Sequence, residues 1–181
     1  MADTIARAVV RESTIHGLGV FAATEIPRGA PILRIDDSRV VTEDKPLREA
    51  DGEYAHHCDY LAGGKVVLMR SPERYINHSC DPNSFVKTIL GDRYVFALRT
   101  IASGEEITYD YCVNGHGDTL WDCVCSSERC RKLIHADLFH LPYALQVEYL
   151  PLLDSWYVDE YGEQVARMLA AAGVLKPSPH D

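Results

Sequence analysis

Two short stretches of the sequence concentrate side chains that can bind ligands or metals. The first, RYINHSCDPNS at residues 74–84, contains Asn77, His78 and Cys80, followed by an Asp-Pro pair that is typical of a turn. Asn77 and His78 offer polar ligand atoms, and Cys80 is either a metal ligand or a buried thiol. An ordinary turn with a small hydrophobic residue at Cys80 would account for this stretch equally well, so the rest of the chain has to decide.

The second stretch, WDCVCSSERC, carries three cysteines in the spacing C-x-C-x4-C: Cys123, Cys125 and Cys130. Three nearby thiolates can converge on one metal ion, and zinc takes four ligands in a tetrahedron. Three free thiols on a cytosolic loop would be a chemical liability, which disfavours the alternative that these cysteines bind nothing. Cys80 is a good fourth ligand. Spacing alone leaves other ligands open: Cys58, Cys112, His116 and His135.

The composition favours a globular protein with a basic partner. The chain has 181 residues, of which 46% are hydrophobic and 25% charged, which suits one domain with an appended subdomain. Its formal net charge is −9. A binder of the phosphate backbone needs a basic face, so we expect no direct nucleic-acid contact. An acidic surface attracts basic proteins.

The sequence also predicts a soluble intracellular protein without a membrane partner. No apolar run approaches the roughly 20 residues of a spanning helix, and the first residues, MADTIARAVVRESTIHG, lack the apolar stretch of a signal peptide. The cytosol keeps thiols reduced, so the six cysteines are expected to bind metal or remain free rather than form disulfides.

Short strands with tight turns are predicted through residues 6–113, which indicates a β-rich body. SFVKTIL and RYVFALRTI form a predicted hairpin with its turn at Gly91-Asp92. Residues 43–64 lack a clear pattern and are predicted to be a loop with one helical turn. After residue 118 the pattern becomes helical, and one predicted helix places four apolar residues on a core-packing face: Val165, Met168, Leu169 and Ala172.

Four stretches, in this order, resemble the motifs of one family. HGLGVFA with its Gly-x-Gly, RYINHSCDPN, GEEITYDY and the C-x-C-x4-C stretch are similar to those of SET-domain protein-lysine methyltransferases with a post-SET zinc motif. The resemblance covers about residues 6–133. It implies a mainly β SET-domain fold of small curved sheets with a pseudoknot, which would bring residues 74–80 and 107–111 together at one site. The expected divisions are a SET domain at 5–113, a post-SET zinc motif at 119–135 and a C-terminal helical extension at 136–181.

The resemblance implies methyl transfer from S-adenosyl-L-methionine to the ε-amine of a lysine in a basic protein such as a histone. A ribosomal protein is another possible substrate. Tyr109 occupies the family's aromatic switch position, where a tyrosine implies mono- or dimethylation. The alternative is a catalytically silent SET-fold module that binds a partner protein. The expected location is the cytoplasm for a microbial protein, and the nucleus or chromatin if it acts on histones.

The family's site residues carry over to positions that match its motifs. Tyr111 matches the catalytic tyrosine, and Tyr54 is the expected tyrosine of the lysine channel, with Tyr60 as a rival. Structural zinc is implied, with Cys80 completing a site with Cys123, Cys125 and Cys130. The implied cofactor-binding residues are Gly17, Leu18, Gly19, Arg74, Tyr75, Asn77 and His78.

The chain departs from the family pattern at several points. Ser126 stands where the post-SET motif usually has glycine, and no pre-SET cysteine cluster precedes residue 74. The adjacent His56 and His57 are expected to be solvated, without a role. The C-terminal helices lie outside the shared motifs and would either close the substrate groove or form a homodimer face.

Overall fold

The computed structural model of the chain describes residues 7–171, and most of its regular structure is short strands. In chain order these strands are β1 (Ala8–Glu12), β2 (Leu18–Ala22), β3 (Pro31–Arg34), β4 (Val40–Val41), β5 (Cys58–Leu61), β6 (Lys65–Leu68), β7 (Asn77–His78), β8 (Ser84–Ile89), β9 (Asp92–Ala97), β10 (Glu106–Tyr109), β11 (Leu120–Asp122) and β12 (Leu133–His135). The α-helices are α1 (Tyr143–Tyr149), α2 (Ser155–Glu160) and α3 (Gly162–Ala171). Single 3-10 turns lie at Glu49–Asp51, Ala55–His57, Ala62–Gly64, Glu73–Tyr75, Leu138–His140 and Leu150–Leu152.

The strands form small separate sheets. Their orders are β1-β2-β10-β7, β3-β9-β8, β4-β6-β5 and the pair β11-β12. Each strand has only two to six residues, and such short strands with tight turns build several small sheets rather than one large sheet. This architecture confirms the predicted mainly β fold of small sheets followed by helices.

The predicted hairpin forms between β8 and β9, with its turn one residue earlier than expected. Ile89 pairs with Asp92, so the two turn residues are Leu90 and Gly91. Both have positive φ, 52° and 88°, as the tight turn favoured in two-residue hairpins requires. Asp92 belongs to the strand, because its pairing closes the ladder.

The prediction for residues 43–64 was wrong in one respect. It allowed one helical turn in a loop, but Cys58–Leu61 forms β5, which pairs with β6 from Cys58↔Leu68 to Leu61↔Lys65. The segment CDYL has no alternating pattern of its own. It becomes a strand because the apolar β6 next to it offers a free edge, and such pairing overrides weak local preference.

The C-terminal helices follow the predicted pattern. In α3 the side chains of Val165 and Met168 are buried, as expected for the core-packing face. Pro151 follows α1 and allows only a 3-10 turn before α2 begins. The predicted face residue Ala172 lies outside the described residues. No helix in the described part of the chain is long and apolar enough to cross a membrane.

Two hydrophobic clusters hold the molecule together. The first lies among the N-terminal sheets and is centred on fully buried residues such as Val20, Ile32 and Ile107. The second joins the cysteine-rich segment to the C-terminal helices, and its largest fully buried side chains are Tyr149 and Tyr157. The C-terminal helices are therefore part of the core that surrounds the cysteines.

Candidate functional site

A parallel pairing of strands brings the RYINHSCDPN and GEEITYDY motifs together. In β7 and β10, Asn77 lies opposite Thr108, and His78 lies opposite Tyr109. The backbone N–H of Ser79 extends this contact by donating to the carbonyl of Tyr109 at 3.1 Å. Residues 74–80 and 107–111 thus meet at one place, as the sequence predicted.

Asn77 fixes the turn that precedes β2. Its buried side-chain amide lies 3.2 Å from the carbonyl oxygen of His16, 3.0 Å from that of Leu18 and 2.8 Å from Oε1 of Glu106. The hydroxyl of Ser13 donates to the same carboxylate at 2.8 Å. The Gly-x-Gly turn is therefore tied to β7 through the side chain of Asn77.

The turn needs glycine at positions 17 and 19 for two different structural reasons. Gly17 has a φ of 47°, a left-handed conformation that favours glycine. Gly19 packs so closely that an added Cβ would lie 2.3 Å from Oε1 of Glu106 and 2.9 Å from Cβ of Ser13. Gly19 thus makes room for the Glu106 carboxylate.

Tyr111 and His78 hold each other in place. The Tyr111 hydroxyl donates to the carbonyl of Ile76 at 2.7 Å, and its backbone N–H donates to Nδ1 of His78 at 3.2 Å. Burial lowers the pKa of His78 to about 4, so the imidazole is neutral near pH 7. Because Nδ1 accepts, the ring proton lies on Nε2, which faces Sγ of Cys80 at 3.4 Å.

Asp110 is a fully buried junction between several parts of the site. The Arg131 guanidinium binds its two carboxylate oxygens at 2.6 and 2.9 Å, and the Tyr149 hydroxyl donates to it at 2.9 Å. Burial opposes the charged form of Asp110, but the hydrogen-bonded Arg131 and the nearby His78 outweigh it and lower the pKa of the carboxyl group. The charge on Asp110 is thus compensated inside the protein.

The four predicted metal ligands converge on one point. The Sγ atoms of Cys80, Cys123, Cys125 and Cys130 all lie within 4.8 Å of one another. A tetrahedral zinc ion with Zn–S distances of about 2.3 Å places its sulfurs about 3.8 Å apart. Sγ of Cys80 and Sγ of Cys123 are 3.7 Å apart, which fits. These cysteines could hold a metal ion.

Backbone donors around the sulfurs support the same assignment. The N–H of Arg131 points at Sγ of Cys80 at 3.4 Å, and the N–H of Cys80 points at Sγ of Cys125 at 3.5 Å. Such donors stabilise thiolates, the form of cysteine that binds metal. Of the other ligands that spacing left open, none joins this group in the described structure: Cys58, Cys112, His116 and His135.

A cavity of about 1160 Å³ lies beside the paired motifs. The ring of Tyr111 is accessible from it, since 36% of this residue is exposed although its hydroxyl is bonded. Most of the residues predicted to bind cofactor or substrate line it: Gly17, Leu18, Arg74, Tyr75, Asn77, His78, Tyr109 and Tyr111.

Two of the sequence-predicted residues do not line the cavity. Gly19 is packed against Glu106, and Tyr54 stacks on His56 with ring centroids 5.4 Å apart. The rival residue Tyr60 does line the cavity. Sequence spacing could not separate Tyr54 from Tyr60, because the intervening segment changes direction at the 3-10 turn Ala55–His57.

The two adjacent histidines were expected to be solvated; both line the cavity, where His56 is exposed but His57 is half-buried. Nδ1 of His57 is buried without a hydrogen-bond partner in the described structure. Burial lowers the pKa of His57, with a smaller contribution from the neighbouring His56. His57 is thus part of the cavity wall rather than a surface side chain.

Sequence reasoning missed Trp121, which lines the cavity next to Tyr111. Its ring lies 5.6 Å from that of His78 and 5.9 Å from that of Tyr111, measured between centroids. The only signal in the sequence was an aromatic residue two positions before Cys123. The contact is made by β11, which the cysteine cluster holds against β7 and β10.

The comparison with family profiles agrees with these motifs. The profile of the SET domain matches residues 17–112 of this chain, which is more than half of its length. The chain belongs to the SET-domain family. Within its SET domain lie both paired motifs and the Gly-x-Gly turn. Cys80 also lies within it, whereas Cys123, Cys125, Cys130 and the C-terminal helices follow it.

Curated relatives of this SET-domain protein are named as histone-lysine methyltransferases. It is 35% identical over 136 residues to "Histone-lysine N-methyltransferase trithorax" of Drosophila virilis and 33% identical over 138 residues to human "Histone-lysine N-methyltransferase 2B". Each alignment covers 70% of this chain but only 4% and 5% of those relatives. It is also 45% identical over 112 residues to "Probable histone-lysine N-methyltransferase set-23" of Caenorhabditis briggsae, which covers 55% of this chain and 46% of that relative.

Proposed function

We propose that this protein transfers methyl groups from S-adenosyl-L-methionine to the ε-amine of lysine in a basic protein. The observation that carries the proposal is the pairing of β7 with β10, which places Asn77, His78, Tyr109 and Tyr111 around one cavity. Relatives named as histone-lysine methyltransferases make a histone the first substrate to test. Action on histones would place the protein in the nucleus or on chromatin.

The part of the cavity next to the Gly-x-Gly turn suits the cofactor. The backbone at Gly17 and Leu18 is free to approach a ligand, and Arg74, Tyr75, Asn77 and His78 lie around the same space. When bound there, the cofactor supplies a methyl group on a sulfonium, whose positive charge is favoured beside aromatic rings such as Tyr111 and Trp121. The neutral His78 adds no competing positive charge.

Tyr109 and Tyr111 would orient the lysine amine. Their ring centroids are 5.0 Å apart, and burial raises the pKa of both phenols, so both keep their protons at neutral pH. The amine must lose its proton before its lone pair can attack the methyl carbon. As the new C–N bond forms, the C–S bond breaks and its electrons remain on sulfur. Alignment in a dry channel then supplies most of the rate.

The proposed divisions are the SET domain at 5–113, the post-SET zinc motif at 119–135 and the helical extension at 136–181. Zinc is proposed because the four sulfur ligands fill a tetrahedron and leave no position open for water, as in structural sites. The metal would hold Trp121 and Arg131 against the SET domain. In the channel, Tyr60 replaces Tyr54 as the residue that the geometry supports.

The methylation assay tests the function directly. The protein is incubated with isotope-labelled S-adenosyl-L-methionine and a panel of core histones and ribosomal proteins, with Tyr111→Phe as the paired variant. We expect label on one substrate and a loss on the order of 100-fold in rate for the variant, the size typical of one lost positioned polar group. Label that persists unchanged in Tyr111→Phe would refute the assigned role.

The alternative function, a silent SET-fold module, predicts a different outcome. Such a module would bind the cofactor or a partner protein without transferring label to any substrate. The presence of Tyr111, Asn77 and His78 in one cavity is against it. Calorimetry with the cofactor, run beside the assay, separates a silent module from a protein that binds no cofactor at all.

A further inference from the structure

Part of the cavity wall comes from segments that carry none of the family's motifs. One is the segment from Ala55 to Gly64, which includes β5. The other belongs to the C-terminal extension and includes Leu152, Trp156, Glu160 and Tyr161. This wall is distinct from the Gly-x-Gly and Asn-His segments that surround the proposed cofactor position.

The two segments touch each other across the cavity edge. A carboxylate oxygen of Glu160 in α2 accepts a hydrogen bond from the backbone N–H of Gly63 at 2.8 Å. A hydrogen bond anchors α2 to the rest of the protein: the buried hydroxyl of Tyr157 donates to the carbonyl of Gly115 at 2.9 Å. Glu160 is exposed and, within the described residues, has no cationic partner. Its second oxygen is free for a ligand.

The charge of this wall is negative. Asp59 and Glu160 line it, and the guanidinium of Arg93 is shared between Asp59 at 2.6 Å and Asp37 at 2.7 Å, while the other arginine of the cavity, Arg74, lies over the ring of Tyr75. Two carboxylates around one guanidinium leave a net negative charge beside the tyrosines. No lysine is found among the described residues that line the cavity.

Aromatic rings lie next to these carboxylates. Trp156 and Tyr161 are both half-buried and line the cavity on either side of Tyr157, with ring centroids 5.6 and 4.7 Å from it. Carboxylates and aromatic faces together suit a guanidinium or ammonium group, since each attracts a cation at short range. A single acceptor lysine reaching Tyr111 would leave this wall without a ligand.

We infer that the wall formed by Asp59, Trp156, Glu160 and Tyr161 binds a second basic side chain of the substrate, next to the acceptor lysine. The inference rests on the proposed methyl transfer for its meaning and goes beyond it, because it assigns sequence specificity to the C-terminal extension. It also accounts for the position of Glu160, which lines the cavity at the end of α2.

Peptides with one acceptor lysine test this assignment. Each position beside the lysine is occupied in turn by arginine, glutamine or glutamate, and both kcat/KM for methylation and Kd by fluorescence anisotropy are measured. We expect arginine to be preferred over glutamine by about fivefold at one position or more, the scale of a partly exposed ion pair. The preference should shrink as salt concentration rises, because salt screens exposed charges.

Two glutamates of the extension provide the matched variants. Glu160→Gln keeps an acceptor for the Gly63 N–H but removes the charge, so it should abolish the preference. Glu163→Gln removes another exposed charge, on α3, where Glu163 lies near Arg167 and does not line the cavity, and should leave the preference intact. Glu160→Arg should reverse it, so that glutamate-flanked peptides become the better ligands.

The outcomes separate this inference from the proposed function. Equal kcat/KM and Kd for arginine and glutamine peptides at every position would overturn the inference while methylation itself stands. The same holds if Glu160→Gln and Glu163→Gln behave alike. If no peptide is methylated, the proposed function fails, and the anisotropy data alone then decide whether the wall selects basic side chains.

Discussion

Tyr111 is held at both its hydroxyl and its backbone N–H, while its ring face is open to the cavity. Its hydroxyl is bonded to the carbonyl of Ile76 and its N–H to His78, while the face of its ring remains open to the cavity. Because both ends are fixed inside the protein, the ring face is held rigid without the ligand. This preorganisation suits an alignment mechanism, in which a residue contributes by where it is held.

The pH dependence follows from the tyrosines and the lysine. A free lysine has a pKa near 10.4, which is about 3 units above pH 7.4. Deprotonating its amine at that pH therefore costs roughly 4 kcal/mol. Burial raises the pKa of Tyr109 and of Tyr111 above the ordinary value near 10, so neither phenol ionises below that pH. We expect the methylation rate to rise from about pH 6 to about pH 9, measured at saturating cofactor. A flat profile with chemistry rate-limiting would contradict this mechanism.

Tyr109 is expected to limit the number of methyl groups transferred. Its ring lies 5.0 Å from that of Tyr111 and it lines the cavity, so under the proposed function its hydroxyl would take up space that additional methyl groups need. We expect wild-type protein to stop at one or two methyl groups and Tyr109→Phe to proceed further. Intact-mass spectra of the product peptide measure this. Identical product distributions for the two proteins would show that Tyr109 does not limit the methylation state.

At the scale of elements, α1 reaches the site through one buried hydroxyl. Tyr149, at the end of α1, donates to Asp110, the residue between Tyr109 and Tyr111. Arg131, next to the last cysteine of the cluster, binds the same carboxylate. Two segments distant in sequence, α1 and the end of the cysteine loop, therefore set the position of residues 109–111.

The Tyr149→Phe variant tests this connection without leaving a large cavity. A hydrogen bond to a charged group contributes about 2 kcal/mol, so we expect a loss of that order in unfolding free energy. We also expect a weaker cofactor affinity, because Asp110 lies 3.6 Å from Nδ1 of His78. Denaturant unfolding and calorimetry provide the measurements.

Tyr143→Phe is the control for that experiment. Tyr143 is in the same helix, but it is 44% exposed and its hydroxyl donates to the carbonyl of Met168, far from Asp110 in the hydrogen-bond network. Its loss should cost less than about 1 kcal/mol and leave cofactor affinity unchanged. Equal effects of the two variants on cofactor binding would mean that Tyr149 does not position the site.

The turn of the cysteine loop shows how an element tolerates an unusual residue. Ser126 has a φ of 58°, the left-handed conformation that explains why related motifs place glycine there. Its hydroxyl donates to the carbonyl of Val124 at 3.2 Å, which offsets part of the strain. Ser126 therefore adopts the left-handed backbone conformation that a glycine would take at this position.

At the scale of the whole molecule, the cysteine cluster and the C-terminal helices share one hydrophobic core. Cys80, Cys123 and Cys125 pack in the same cluster as Tyr149 and Tyr157. Folding and metal binding should therefore be coupled, because the ligands converge only in the folded chain. Loss of the metal would loosen the extension as well as the loop.

Metal removal tests this coupling. A chelator should lower the thermal midpoint and weaken cofactor binding, and Cys125→Ser should do the same. Cys58→Ser is the matched control, because Cys58 lies in β5 outside the cluster and should retain about one metal ion per chain. Unchanged cofactor affinity after complete chelation, verified by metal analysis, would show that the loop and the site are independent.

Local patterns in the sequence predicted the features that depend on near neighbours along the chain. The β8–β9 hairpin, the apolar face of α3 and the convergence of Cys123, Cys125 and Cys130 follow from spacing, because covalent geometry keeps such residues close. The hairpin turn was misplaced by one residue, since the pairing of Asp92 depends on the partner strand. Motif resemblance added the meeting of residues 74–80 with 107–111.

Only the tertiary structure decided which distant residues share a site. It placed Tyr60 rather than Tyr54 at the cavity, set Trp121 beside Tyr111, and joined the Tyr149 hydroxyl to Asp110. It also brought Glu160 of α2 to the cavity wall, where its carboxylate accepts from the backbone N–H of Gly63. These contacts span tens of residues, and their formation depends on how whole elements pack. No local spacing contains that information, because the same short segment can face several partners until the core fixes its orientation.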